Sequence, residues 1–154
     1  MPPSAFIAML LPAAQACQRA HGIPASFTLA QAALESGWGE RAPGNNLFGV
    51  KADRAWKGKT VDVPTHEVVG GKRVAMVCKF RAYTTLSDSI ADRADFFLKN
   101  KRYAACFKER DGEGWARAVA EAGYATDPSY TKSLIAVMRG RNMAQFDILP
   151  RAAA

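Results

Sequence analysis

Val61-Asp62-Val63-Pro64-Thr65-His66-Glu67-Val68-Val69-Gly70-Gly71-Lys72-Arg73-Val74-Ala75-Met76-Val77-Cys78-Lys79-Phe80 is the stretch on which the architecture turns. Val61, Val63, Val68 and Val69 lead into Gly70-Gly71, and Val74, Met76, Cys78 and Phe80 follow in alternation. A period of two marks a strand, and Gly-Gly between two such runs marks a hairpin with a primed turn. The periodic segments on either side have the period of a helix. The expectation is therefore an α+β fold, mostly helical, with one small β-hairpin lobe. The junction of the two lobes is a natural cleft for an extended substrate.

Working toward the N-terminus, residues 39 to 59 are rich in Gly, Asn and Pro and read as an irregular loop. Before it, Leu29-Ala30-Gln31-Ala32-Ala33-Leu34 carries a helix to about Ser36, with Gly37 as its stop and Pro24 suited to its first turn. A first helix places Phe6, Leu10, Ala14 and Cys17 on one face. Toward the C-terminus, Ser87 is the expected N-cap of a helix with Ile90, Ala94 and Phe97 on its stripe. A short helix carries Trp115 and Val119 and ends near Gly123. The last helix starts with Asp127 as N-cap and Pro128 at the first helical position, and its apolar face is Tyr130, Leu134, Val137 and Met138. Leu149-Pro150-Arg151 and three alanines read as a frayed tail.

At 154 residues this is one domain, residues 1–154 with a core from about 6 to 143, and a chain that long needs no disulfide or metal to complete its core. Three widely spaced cysteines, Cys17, Cys78 and Cys106, sit among apolar or small neighbours as buried free thiols. Metal-ligand spacing is absent, and no cofactor is implied. No apolar run reaches the roughly 20 residues of a membrane span. Ala14-Gln15-Ala16 imitates a signal-peptide cleavage site, but no Lys or Arg precedes the apolar run before it. The opening Met1 and the short tail read as those of a stand-alone protein. The net charge is +7, from 21 basic and 14 acidic residues dispersed along the chain. That surplus favours a polyanionic partner without choosing among nucleic acid, membrane and cell-wall polymer.

Glu35 carries the chemical signal. It ends an otherwise uncharged helix, where the helix dipole and an apolar setting both favour the protonated carboxyl that a general acid needs. A solvated helix-end glutamate is the structural alternative.

Ala30-Gln31-Ala32-Ala33-Leu34-Glu35-Ser36-Gly37-Trp38-Gly39 resembles the catalytic-helix motif of the family 73 glycoside hydrolases. Asn46-Leu47-Phe48-Gly49-Val50-Lys51, Phe80-Arg81-Ala82-Tyr83, Arg102-Tyr103 and Gly123-Tyr124-Ala125-Thr126-Asp127-Pro128-Ser129-Tyr130 are similar to later blocks, in the family's order. The resemblance implies a lysozyme-like fold and endo-β-N-acetylglucosaminidase activity on peptidoglycan. It also implies that Glu35 is the general acid and that Glu67, in Thr65-His66-Glu67, is the second carboxylate. Asp53 is a lower-ranked alternative for that role. Tyr124 is the aromatic expected beside the catalytic centre. Asn46, Phe48, Tyr83, Tyr130 and Trp38 are candidates for binding sugar, with a core or turn role open for Asn46, Phe48 and Trp38.

Two carboxyls suit glycosidic cleavage, since one protonates the leaving oxygen while the other activates water, attacks, or orients the acetamide of an N-acetyl sugar. Lysozyme and lytic transglycosylase are the neighbouring activities. A non-catalytic binding module rests on charge alone, and carboxylates beside a phosphate backbone are repelled. The implied partner is the peptidoglycan glycan strand, met by a monomer with no nucleic acid and no membrane span. The site of action is the bacterial cell wall, reached from the cytoplasm on release.

Overall fold

The computed structural model describes residues 1–148, so the tail expected from Leu149 onward lies outside the described residues. The helical body is built from α1 (Pro3–His21), α2 (Ala25–Ser36), α3 (Leu86–Lys99), α4 (Gly112–Glu121) and α5 (Tyr130–Gly140). An antiparallel hairpin, β1 (Thr60–Val69) and β2 (Lys72–Arg81), stands between α2 and α3. Short 3-10 turns cover Pro43–Asn45, Lys101–Lys108 and Met143–Phe146. The α+β fold with a small hairpin follows the expectation from periodicity.

Helix α2 is the central strut. Every residue from Ala25 to Ala33 is buried, as suits a helix apolar nearly all round. Its alanines allow α1 and α5 to approach closely, and Phe27 projects into an aromatic cluster with Phe97 and Trp115, at centroid distances of 6.1 and 5.6 Å. Helix α1 lays Phe6, Leu10, Ala14 and Cys17 on this core, the face expected for it, and runs straight through Pro12. A mid-helix proline typically costs about 3 kcal/mol, so burial of the face on both sides of it must offset that loss.

Helix starts differ from the expectations in an instructive way. Thr85, not Ser87, caps α3, because its hydroxyl accepts the Asp88 amide at 3.1 Å. Asp127 does not cap α5. Its carboxylate accepts the Ser129 amide at 2.9 Å and closes a turn ahead of Tyr130, the first helical residue. The α2 start, which has no side-chain cap of its own, is completed from the far end of the chain. The Ser26 amide and hydroxyl donate to Asp147 at 2.7 and 2.8 Å.

The hairpin turns at Gly70 and Gly71, with φ of +58° and +78°, and pairs Val69 with Lys72. Two consecutive left-handed residues are what a primed two-residue turn requires, and glycine adopts them without steric cost. One face, Val61, Val63, Thr65 and Glu67, is half-buried, and the intervening residues are exposed. The outer half carries its apolar residues in solvent: Val68, Val69 and Val77 are 76%, 56% and 66% exposed. Cys78 lies half-buried on this arm and not in the core, whereas Cys17 and Cys106 are buried. The base is anchored to the preceding loop by hydrogen bonds from Ala52 to Lys79 and from Arg81 to Val50, each 3.0 Å.

Candidate active site

Thr28, Gln31 and Glu35 recur at helical spacing along α2 and make one polar stripe on an otherwise apolar helix. Gly37, in the left-handed conformation, ends the helix two residues beyond Glu35. Glu35 is therefore held in the last turn, half-buried, and borders a small niche of about 60 Å³. The niche is lined by Arg41, Pro43, Asn46 and Gly49 from the loop and by Val63 and Phe80 from the hairpin base. Burial raises the Glu35 pKa above the ordinary carboxylate value, and the opposing hydrogen bond from Tyr130 does not cancel it. Such a carboxyl keeps its proton to higher pH and is suited to proton donation.

Tyr130 brings α5 to Glu35, its hydroxyl donating to Oε1 at 2.9 Å. Burial first, then the neighbouring Tyr124 and Glu35, push that phenol well above its ordinary pKa, so it remains a donor. Tyr124 stacks on Tyr130 with centroids 5.8 Å apart and planes 25° from parallel. Its other surroundings open into a groove of about 630 Å³, whose walls include Phe48, Trp56, Arg81, Phe96 and Arg102. Glu35 does not line this larger groove. Gly49 belongs to both spaces, and the Tyr124–Tyr130 stack joins the groove wall to the acid.

Glu67, the candidate second carboxylate, comes from the hairpin. Glu67 shares a face of β1 with Val63, the residue at the Glu35 niche, but stands four residues farther out. The carboxylate of Glu67 turns back along the strand, its Oε1 lying 4.0 Å from Sγ of Cys78, the register partner of Val63. Its Oε1 is 2.9 Å from Nζ of Lys51 in an exposed ion pair. Asp53 closes a loop turn, accepting the amides of Ala55 and Trp56 at 3.1 and 3.0 Å, with Arg81 at 3.5 Å.

The remaining candidates separate clearly. Asn46 is buried, and its side chain is spent on Val50 and the Arg81 carbonyl, so it ties the loop to the hairpin base. Tyr83 is buried and donates to Asp92, which also accepts from Arg81 at 2.9 Å. Trp38 packs edge-on against Phe6 at 5.6 Å beneath Arg141. Tyr83 and Trp38 are thus engaged in internal contacts, while Asn46 lines the niche with its side-chain hydrogen bonds turned to the loop. Phe48 lines the groove, and its ring also covers Arg93.

Two features escaped the sequence reading. Arg93 is completely buried behind the site, and Gln31 stands between it and Tyr130. The signal was present: Arg93 falls on the same stripe as Ile90 and Phe97, where a charge is unexpected. Trp56, with the Arg81 guanidinium 4.7 Å from its ring centroid, is an unforeseen aromatic in the groove wall. Among the described residues no three His, Cys, Asp or Glu side chains converge as metal ligands, and no helix is long and apolar enough to cross a membrane.

The model of the glucosaminidase family, described as mannosyl-glycoprotein endo-beta-N-acetylglucosaminidase, matches residues 11–143. The peptidoglycan hydrolase FlgJ of Escherichia coli K12 is 41% identical over 137 residues, which cover 84% of this chain and 44% of that protein. The chain thus spans about half the length of the relatives it matches. Two solved structures superpose on it with TM-scores of 0.80. One is a peptidoglycan hydrolase mutant from Sphingomonas sp. A1, at 40% identity over 92% of this chain and 96% of that one. The other is a C-terminally truncated glycoside hydrolase domain of FlgJ from Salmonella typhimurium, at 36% identity over 92% and 99%.

Proposed function

The chain belongs to the glucosaminidase family of glycoside hydrolases, and from that premise we propose that it cuts peptidoglycan glycan strands at the β-1,4 bond after N-acetylglucosamine. The observation that carries the proposal is Glu35: a carboxyl whose pKa burial raises, oriented by a tyrosine, and set in a niche that adjoins an aromatic groove. Substrate lies along the groove past Tyr124, and Glu35 protonates the glycosidic oxygen as the bond to the anomeric carbon breaks.

The position of Glu67 bears on what happens at the anomeric carbon. A water-activating carboxylate in an inverting enzyme stands roughly 6.5–9.5 Å from the acid, and a carboxylate nucleophile about 5–5.5 Å. Glu67 sits on the exposed two-stranded arm, its carboxylate tied to Lys51 of the loop and not to the helical body. We therefore favour a route in which the substrate's own acetamide oxygen attacks the anomeric carbon, while Glu67 orients the acetamide when the hairpin bends inward. Retention of the β anomer in the first-formed product is the expected signature. The place of action is the bacterial cell wall.

The test is digestion of purified peptidoglycan followed by mass spectrometry of reduced muropeptides. New reducing ends on N-acetylglucosamine are the expected result. Reducing ends on muramic acid would make the protein a muramidase, and anhydromuramic ends would make it a lytic transglycosylase.

A further inference from the structure

Arg93 is an expensive residue to keep. It is wholly buried, and among the described residues no carboxylate lies within ion-pair distance of it. Its guanidinium sits over the rings of Phe27, Phe48 and Phe97 at 5.3, 4.7 and 5.2 Å, and its Nε has no hydrogen-bond partner. A buried charge without a counter-ion costs stability even when its faces are covered by aromatic rings. Two hydrogen bonds hold it: Nη2 donates to Thr28 Oγ1 at 2.5 Å, and Nη1 donates to Gln31 Oε1 at 2.8 Å.

The second bond has a consequence that reaches the acid. Arginine has donors only, so the oxygen of Gln31 must face Arg93 and its amide nitrogen must face the other way. That nitrogen is 3.0 Å from the Tyr130 hydroxyl and donates to it. The hydroxyl oxygen, already accepting, directs its own proton to Glu35 Oε1 at 2.9 Å. We propose that Arg93 and Gln31 are positioning residues that set the direction of this chain, so that Tyr130 always donates to Oε1 of Glu35 and the transferable proton is held on Oε2. Oε2 takes no hydrogen bond from the described residues, and Glu35 borders the niche. When that proton passes to the glycosidic oxygen, the carboxylate left behind keeps the Tyr130 donor on Oε1. The inference rests on the assignment of Glu35 as the acid.

The groups that face Glu35 are few. Tyr130 comes from α5, Tyr124 from the loop before it, and Arg41 from the loop after α2. The hairpin contributes Val63 and Phe80 to the niche, neither of which titrates, and carries Glu67 farther out beside Lys51. Arg93 acts through two intervening residues, Gln31 and Tyr130, in a chain of three hydrogen bonds.

Gln31→Glu separates the alternatives. A carboxylate there keeps Arg93 paired but turns an acceptor toward Tyr130, which then donates to residue 31 and deserts Glu35. The readout is the carboxyl carbon resonance of Glu35, followed against pH by NMR and assigned by its absence in Glu35→Gln. Loss of a hydrogen bond to a charged group predicts an upward move of the Glu35 midpoint by roughly one pH unit. The alkaline limb of the rate profile should move with it, with a lower kcat and an unchanged KM. Tyr130→Phe should raise the midpoint similarly. Adding Gln31→Glu to Tyr130→Phe should then raise it little further, whereas simple repulsion by a new charge would raise it equally in both backgrounds. That equal rise overturns the proposal. So does an unchanged midpoint in Tyr130→Phe, a variant that keeps the ring packing and serves if Gln31→Glu fails to fold. The assignment of Glu35 as the acid fails separately, by an active Glu35→Gln protein.

Discussion

Helix α2 and the β-hairpin each bring one glutamate to the candidate site, under opposite physical conditions. Glu35 sits on a helix buried on nearly every side, with its hydroxyl partner, that partner's amide partner, and a guanidinium behind it, all held by core packing. Glu67 sits on a two-stranded arm with exposed valines, held by an ion pair to a flexible lysine. An isolated two-stranded hairpin is marginal by itself, and an exposed ion pair contributes about 0–1 kcal/mol. On the proposed mechanism the body supplies a pre-set acid, while the arm supplies a carboxylate whose position the substrate can still adjust. A proton donor must be ready before the bond breaks; a group that only orients the acetamide can arrive with the sugar.

The largest effect expected from this contrast is on turnover. Glu35→Gln should reduce kcat on peptidoglycan by about 10²–10⁴-fold with wall binding retained, because the amide cannot donate the proton. A folded variant with near-normal turnover would end the assignment. Next comes stability. Phe27→Ala empties the aromatic centre beneath α2 and should cost about 3–5 kcal/mol in chemical denaturation. Val77→Ala, out on the arm, should stay within about 0.5 kcal/mol and leave activity unchanged. Comparable losses at the two sites would erase the contrast.

Glu67→Gln should be intermediate: a clear fall in kcat, smaller than for Glu35→Gln, with stability changed by less than about 1 kcal/mol. Full activity would remove Glu67 from the mechanism. Asp53→Asn should be milder still, since its work is closing a turn. The smallest effect is a pH-dependent one. The folded protein holds the Glu35 proton above the ordinary value of 4.5, so between that value and the raised one the folded state binds more protons than the unfolded chain. Stability then falls as pH rises through that window. Glu35→Gln removes the slope, so it should melt at a higher temperature than wild type at neutral pH. The difference should fade as the pH drops to 4.5 and below. Calorimetry across that range checks the sign.

From the sequence by itself come the features that depend on near neighbours in the chain. Alternation about Gly70-Gly71 determined the hairpin and its turn, and helical spacing determined the faces of α1, α3 and α5. The isolated position of Glu35 at the end of an uncharged helix already singled it out as a candidate, beside the alternative of a solvated helix-end glutamate. What only the tertiary structure decided are the partnerships across the chain. Tyr130 reaches Glu35 from 95 residues away, Arg93 reaches Gln31 from 62, and Asp147 caps α2 from 121. Tyr130 and Tyr83 look alike as sugar-binding tyrosines in sequence, yet one hydroxyl is aimed at the acid and the other at Asp92. Glu67 is on the first hairpin strand, as expected, but its pairing with Lys51 follows from where loop 39–59 meets the hairpin base. Periodicity says which side of an element is buried. It carries no information on which polar groups meet there, because hydrogen bonds need matched donors and acceptors at about 3 Å, a distance that only packing sets.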